Sequence, residues 1–404
     1  MQSSSAESEK LVWYNTLQQK RKGVKNMKIL HLSDLHLGRR LYHHSFLPQQ
    51  EKMLEQVVKI AVEQSVQAVL IAGDVYDKNV PAAEAVTVLD SFLTALSEKK
   101  IAVFLISGNH DSAERLQFAS QLLEHQGVYI AGTFSGEMQS YDLEDEYGKV
   151  HLCLLPFVKQ AALSSLYPKE NFRSLSDGIA HVIGQTALSE KDRNLLMYHG
   201  FVLHDGTPPE ESDSELQLGG TQLVDASVFD AFDYVALGHI HKPQWVRSGK
   251  MRYSGSLMKY SFSETLQKKS LTLLDWKEKD NLTVTAIPLC PETDMRIIRG
   301  KLEDLLTYAQ PSADWIRAEL TDETLVPYAM ERLRAVYPNV LELEFLSHSE
   351  RIAAGITEAE AVPEKSLLEL VDSFCSSVYQ YELSEHETAQ ALMQSICKEA
   401  EQTE

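Results

Sequence analysis

Cysteine is scarce: four in 404 residues, Cys153, Cys290, Cys375 and Cys397, with no CxxC spacing among them. That excludes a disulfide framework or a zinc ribbon and fits a reducing cytoplasm. No apolar run approaches the roughly 18–20 residues that cross a bilayer, so no membrane association is expected. Residues 1–26 mix Ser, Glu, Lys and Gln without a continuous apolar stretch, unlike a signal peptide. We expect a disordered leader there, with the native start at Met27. Positive charge is short as well: 38 Lys and Arg against 58 Asp and Glu, a net −20. Nucleic-acid binders usually present a basic surface. The acid, however, is gathered in Glu137–Glu146, Glu210–Glu215 and Glu358–Glu404. Two divalent ions would also return positive charge to a single cleft, so the overall charge does not exclude DNA. Internal repeats and low-complexity tracts are missing too.

What is present is an ordinary globular composition, 44% hydrophobic and 24% charged, with length for two or three domains and a sizeable core. Lys28–Leu32, Val66–Ala72 and Ile101–Ile106 read as buried strands. They alternate with helical spacing over Phe46–Gln64, Ala82–Leu96 and Ser112–His125. Strand alternating with helix implies a mostly parallel sheet covered by helices. Val150–Pro156, Asn194–Tyr198 and Phe232–Leu237 are further strands. Gln244–Arg247, Met251–Ser254, Ser270–Trp276 and Leu282–Pro288 read as a run of antiparallel strands. The expected fold is α/β, a two-layered β-sandwich flanked by helices over residues 27–290. A smaller α+β domain follows over 291–346, built from Arg296–Arg299, Leu302–Tyr308, Trp315–Leu320, Tyr328–Tyr337 and Val340–Phe345. A polar linker (347–364) then leads to amphipathic C-terminal helices (365–404), whose apolar stripe after a linker marks a partner surface.

Five short motifs stand at the ends of the apolar runs: Asp34-Leu35-His36, Gly73-Asp74, Gly108-Asn109-His110-Asp111, His199-Gly200 and Gly238-His239-Ile240-His241. In parallel sheets the carboxyl ends of the strands gather at one edge, where ligands bind. Carboxylates, one amide and several imidazoles together suit a pair of divalent metals that cleaves a phosphoester. The natural assignment gives Asp34, His36, Asp74 and His241 to one ion. Asp74, Asn109, His199 and His239 go to the other, with Asp74 bridging. Mixed nitrogen and oxygen donors favour manganese or a similar ion over calcium. His110, beside a ligand but not needed as one, is placed to protonate the leaving oxygen, with Asp111 expected to orient its ring. The remaining histidines read as core or surface residues, except that His43 and His44, after Arg39 and Arg40, are candidates for substrate contact.

These motifs resemble those of the calcineurin-like metallophosphoesterase superfamily. Met27 to Gly38, Asp233 to Gln244, Tyr253-Ser254-Gly255-Ser256 and Tyr260-Ser261-Phe262-Ser263-Glu264 are similar to segments of its bacterial SbcD-type nuclease subunits. The resemblance implies a manganese-dependent DNA nuclease with 3′→5′ exonuclease and single-strand endonuclease activity, acting in DNA repair and recombination. It implies that the domain after Pro291 is a cap that helps hold DNA. It implies that the C-terminal helices bind an SbcC-type coiled-coil ATPase, and that the nuclease chain forms a homodimer through Phe46–Gln64 and Ser112–His125. One departure is that Asp77 stands where some relatives carry a histidine. A phosphatase or cyclic-nucleotide phosphodiesterase of the same superfamily is the alternative.

Overall fold

The first strand, β1 (Met27–Leu32), shows how this chain builds its core. Ile29 faces one way into an apolar layer, and Leu30 and Leu32 face the other way into a second layer. Five of its six residues are buried, on both faces, so its apolar residues run on rather than alternate, with only Lys28 half-buried and His31 a buried polar exception. Strands β2 (Ala68–Ala72) and β3 (Ala102–Ile106) repeat the pattern, every residue buried. β4 (Val128–Ala131) completes a parallel set in the order β1-β2-β3-β4. The chain then forms a second sheet from β5 (Gln139–Asp145), β6 (Gly148–Leu155), β7 (Arg193–His199), β8 (Tyr234–Gly238), β9 (Gln244–Arg247) and β10 (Met251–Tyr253), in the order β9-β10-β8-β7-β6-β5. It returns to the first sheet with β11 (Ser270–Trp276) and β12 (Leu282–Pro288), which pair antiparallel beside β1. The computed structural model describes residues 26–215, 222–310 and 312–346, with positions 372, 389, 391–393 and 395. The expected leader up to residue 25, the linker and most of the C-terminal helices lie outside the described residues.

The two six-stranded sheets face one another across Ile29, Leu70, Phe104, Leu152, Leu154, Met197 and Ala236. Helices cover both outer faces. On the first sheet, α1 (Leu47–Glu63) begins with Pro48 in its first turn, where a missing N–H costs nothing, and buries Met53, Leu54, Val57 and Ala61. α2 (Ala83–Glu98) buries Val88, Leu89, Phe92 and Leu96 on the same layer. Two short helices follow, α3 (Ala113–Gln117) and α4 (Ser120–Glu124). On the second sheet, α5 (Gln160–Leu166) precedes α6 (Leu175–Gly184). Ser174 and Asp177 close a reciprocal capping box at the start of α6.

Two sequence expectations are corrected. The antiparallel run is divided between the sheets: β9 and β10 belong to the second, β11 and β12 to the first, and β10 lies parallel to β8. Ser112–His125 is not one helix. The first helix stops at Gln117, whose side-chain amide bonds the end of β4, its Oε1 accepting from Gly132 N–H at 2.7 Å and its Nε2 donating to the Ile130 carbonyl at 3.3 Å. Ala119 then takes φ +60°, so tertiary bonding overrides local helical spacing.

The chain divides into two compact units at Asp294/Met295. The second contains a parallel three-stranded sheet, β13 (Met295–Gly300), β14 (Trp315–Leu320) and β15 (Val340–Phe345). Helices α7 (Leu302–Thr307) and α8 (Ala329–Arg334) connect them. Its own core joins Leu302, Ile316, Ala318, Leu320, Leu333 and Val340.

Candidate metal centre

All five motifs stand where parallel strands end. Asp34 and His36 follow β1, Asp74 follows β2, Asn109 and His110 follow β3, His199 closes β7, and His239 and His241 follow β8. The loops after β1 and β2 run on side by side. Asp34 N–H donates to the Gly73 carbonyl and His36 N–H to that of Asp74, each at 3.0 Å. This continued pairing brings the side chains from adjacent strands to one point. The backbone conformation is unusual there: Asp34 (φ +54°), His36 (+44°), Asp74 (+49°) and His239 (+109°) are all left-handed without being glycine. Such conformations cost of order 1–3 kcal/mol each and cluster at functional sites. Close approach also demands glycine. A Cβ on Gly238 would strike the Ala72 carbonyl and the His199 ring, and one on Gly108 would strike the Asp74 carboxylate.

The structure brings the predicted residues into two overlapping sets. In one, donor atoms of Asp34, His36 and His241 lie within 4.8 Å of each other; in the other, those of Asp74, His199 and His239 do. Asp74 stands between them: its Oδ2 is 3.4 Å from His199 Nε2 and 3.7 Å from His36 Nε2. Asn109 joins the second set, its Oδ1 at 3.0 Å from His199 Nε2 and 2.9 Å from His239 Nδ1. Asp34 also accepts His239 N–H, which ties the two sheets together at the site.

The donor chemistry fits two divalent cations. Two buried carboxylates face four buried imidazoles. Burial, reinforced by His199, lowers His239 to about 3, and burial holds His36 well below the usual imidazole value. Those two rings are neutral and have lone pairs to give. His199 behaves oppositely: burial is outweighed by the adjacent Asp74 carboxylate, with Asp34 adding to it, and the ring is raised to about 9. The carboxylates thus call for positive charge, and protons on imidazole supply it when no ion does. His36 Nδ1, fully buried, has no hydrogen-bond partner among the described residues.

His110 belongs to neither set but forms a third close group with His36 and Asp77, edge-on to His36 with ring centroids 4.7 Å apart, and its backbone N–H donates to Asp74 Oδ1 at 2.9 Å. Its Nδ1 is 2.9 Å from the Asp77 carbonyl, which only accepts, so Nδ1 carries the ring proton and Nε2 bears a second, transferable one in the imidazolium form. The expectation that Asp111 orients His110 is corrected. The Asp111 carboxylate instead accepts the backbone N–H groups of Val75, Tyr76 and Gly108, so it holds the Asp74 loop to the Asn109 loop. Burial, with Asp74 nearby, raises it to about 6. His31 is a core residue, bonded across the sandwich to the Leu237 carbonyl and Tyr234 hydroxyl. His43 and His44 are exposed at a two-residue strand pair. Neither lines the cavity of about 460 Å³ that Arg40, Ser45, Asp77 and Lys78 help to enclose.

Sequence reasoning assigned no role to Ser214, Glu215, Glu264 and Lys269, which lie behind His241. They sit far from the strand-end motifs, and the one available signal was a glutamate inside Tyr260-Ser261-Phe262-Ser263-Glu264.

A family model described as calcineurin-like phosphoesterase matches residues 27–243, and the chain belongs to that family. A further model, described as Type 5 capsule protein repressor C-terminal domain, matches residues 291–379. The SbcD chain of the SbcCD nuclease of Staphylococcus epidermidis is 30% identical over 333 residues, which span 81% of this chain and 88% of that protein. That similarity groups the chain with the SbcD nuclease subunits. Among solved structures, TT1561 of Thermus thermophilus aligns at 13% identity, covering 65% of this chain and 99% of that one, with a TM-score of 0.38. A dimetal phosphatase from Danio rerio aligns at 14% identity, 64% and 95% coverage and a TM-score of 0.36. Both scores are too low to bear on the function.

Proposed function

We propose that this chain is a metal-dependent DNA nuclease, the SbcD-type component of a complex with an SbcC-type coiled-coil ATPase. The carrying observation is the position of Asp74, whose Oδ2 lies 3.4 Å from His199 Nε2 and 3.7 Å from His36 Nε2. When bound, two divalent ions would clamp the phosphodiester, acidify a water and stabilise the leaving oxygen. Asp34, His36, Asp74 and His241 would hold one, and Asp74, Asn109, His199 and His239 would hold the other. Manganese suits this mixed donor set. His110, its Nδ1–H engaged by the Asp77 carbonyl, gives the proton from Nε2 of its imidazolium form to the departing oxygen.

The finer features of this reading are 3′→5′ exonuclease and single-strand endonuclease action in repair and recombination, and a cytoplasmic location. The domain after Pro291 acts as the cap that holds DNA, and residues 365–404 dock the ATPase. Homodimerisation is through α1 and the α3–α4 segment. Phe118 and Leu122, 82% and 72% exposed on that segment, support the last point. A Phe118→Asp/Leu122→Asp variant that keeps the parent's mass in solution would remove it. Deletion of residues 365–404 should abolish capture of the ATPase; undiminished capture counts against that docking site. No helix among the described residues is long and apolar enough to cross a membrane.

The test is cleavage of end-labelled single- and double-stranded DNA with manganese, magnesium or neither, with and without the ATPase. Manganese-dependent cutting supports the reading. Turnover of small phosphoesters with no DNA cutting, even with the ATPase present, favours the phosphatase alternative.

A further inference from the structure

His241 is held at every polar atom except Nε2. Its backbone N–H donates to Glu215 Oε1 at 2.5 Å, and its carbonyl accepts from Lys269 Nζ at 2.9 Å. Its Nδ1 is 2.7 Å from Ser214 Oγ and 3.2 Å from Glu264 Oε1. Ser214 Oγ is itself 2.5 Å from that same Glu264 oxygen. An ionised carboxylate only accepts, so the serine donates to it and turns a lone pair to the imidazole. By either route Nδ1 meets an acceptor. Nδ1 therefore carries the proton in the neutral ring, and Nε2 then turns a lone pair toward His36 and Asp34.

The carboxylate in this arrangement is fully buried, which is costly unless it is neutralised. Lys269, 6% exposed, does so, with Nζ 2.6 Å from Glu264 Oε2, 2.7 Å from Gln267 Oε1 and 2.9 Å from Ser256 Oγ. Glu264 is placed by a single 3₁₀ turn, Phe262–Glu264, whose start is capped by Ser261 Oγ accepting Ser263 N–H at 3.2 Å. Ser214 and Glu215 come from the loop after Phe201–Leu203, which Arg39 fastens by donating to the Ser214 carbonyl at 3.2 Å. Support elsewhere is lighter: His199 Nδ1 meets only the neutral Ala72 carbonyl, at 2.8 Å.

We propose that Glu264, with Ser214 and its counter-charge Lys269, is a positioning residue that fixes the tautomer and aim of His241 toward the metal held by Asp34, His36 and His241. The inference rests on the metal-pair reading above and adds an asymmetry to it. Behind His241 stands a buried ion pair, Glu264 and Lys269, with Ser214 between; behind His199 stands a backbone carbonyl.

The experiment is titration of the full chain with Mn²⁺, free ion being followed by its electron paramagnetic resonance signal. The parent is compared with Glu264→Gln/Lys269→Met, which removes both buried charges together. Outer partners of this kind typically change metal affinity by about 10–100-fold. We expect that loss at one of the two ions, the other unchanged, in a variant with the parent's circular dichroism and metal-free melting. A folded variant that binds both ions as the parent does overturns the inference. If the double variant does not fold, Ser214→Ala decides: a several-fold loss at one ion supports the role, and unchanged affinity at both overturns it. A parent chain that binds no Mn²⁺ fails at the metal pair itself and takes this inference with it.

Discussion

The Nε2 atoms of His36 and His241 face each other at 3.1 Å, both rings buried. Two imidazole nitrogens at that distance share at most one proton, so at least one lone pair points into the gap. A cation between or beside them satisfies both. Removing it returns buried, like-facing acceptors and two carboxylates to each other's company. Chelation of metal from the purified chain should therefore lower its melting temperature. A ligand at about 100 times its Kd stabilises by roughly 2.7 kcal/mol, worth about 5–10 °C in a domain of this size. Superimposable melts with and without EDTA would contradict a metal centre here.

Protons and metal compete for the same nitrogens, and the sign is fixed by His199. With its value raised to about 9, the metal-free ring is protonated at neutral pH and must release that proton to become a ligand. Metal affinity should rise by up to about tenfold per pH unit per proton displaced between pH 6 and 9, then level off. Calorimetry in buffers of different ionisation enthalpy would count the protons. Affinity that does not change over this range would mean His199 is not a ligand.

His110 and Asp74 separate chemistry from assembly. His110→Ala should keep both ions yet lose roughly 10²–10⁴-fold in DNA cleavage, the usual contribution of a positioned acid. Asp74→Ala should lose metal at both positions and cleavage with it. Metal analysis beside the cleavage assay distinguishes them. A His110→Ala protein that has lost an ion is a ligand variant, and an Asp74→Ala protein with both ions has no bridging carboxylate.

Gly238 should tolerate no side chain. In Gly238→Ala the new methyl meets the Ala72 carbonyl, the Ser33 Cβ and the His199 ring, and backbone on two sheets must move. The overpacking cost should be about 2–3 kcal/mol, read as a lower urea midpoint at an unchanged slope. A midpoint within error of the parent would show that the sheets are less tightly docked than these distances say.

The strand-end motifs were legible because strand and ligand lie within a few residues of each other. An apolar run that stops at Asp34, Asp74 or His239 announces both the sheet and the edge where side chains converge. What lies behind the ligands was not. Glu264 and Lys269 meet His241 through chain folding, and neither spacing nor composition links residues 23 and 28 positions apart. The assignment of β9–β12 to two different sheets failed for the same reason: each strand is locally plain, but partner choice is a tertiary matter. Asp111 was misread because adjacency in sequence to His110 suggested contact, whereas its carboxylate turns the other way to bond Val75, Tyr76 and Gly108.

The division of the donors between two sheets has a consequence for the newly made chain. Asp34, His36, Asp74, Asn109 and His110 emerge with the first sheet, while His199, His239 and His241 arrive only with the second. Until the sheets close face to face, neither group of donors is complete. On the proposed reading, a nascent or half-opened chain cannot assemble the metal pair, and closing the sandwich is what arms it.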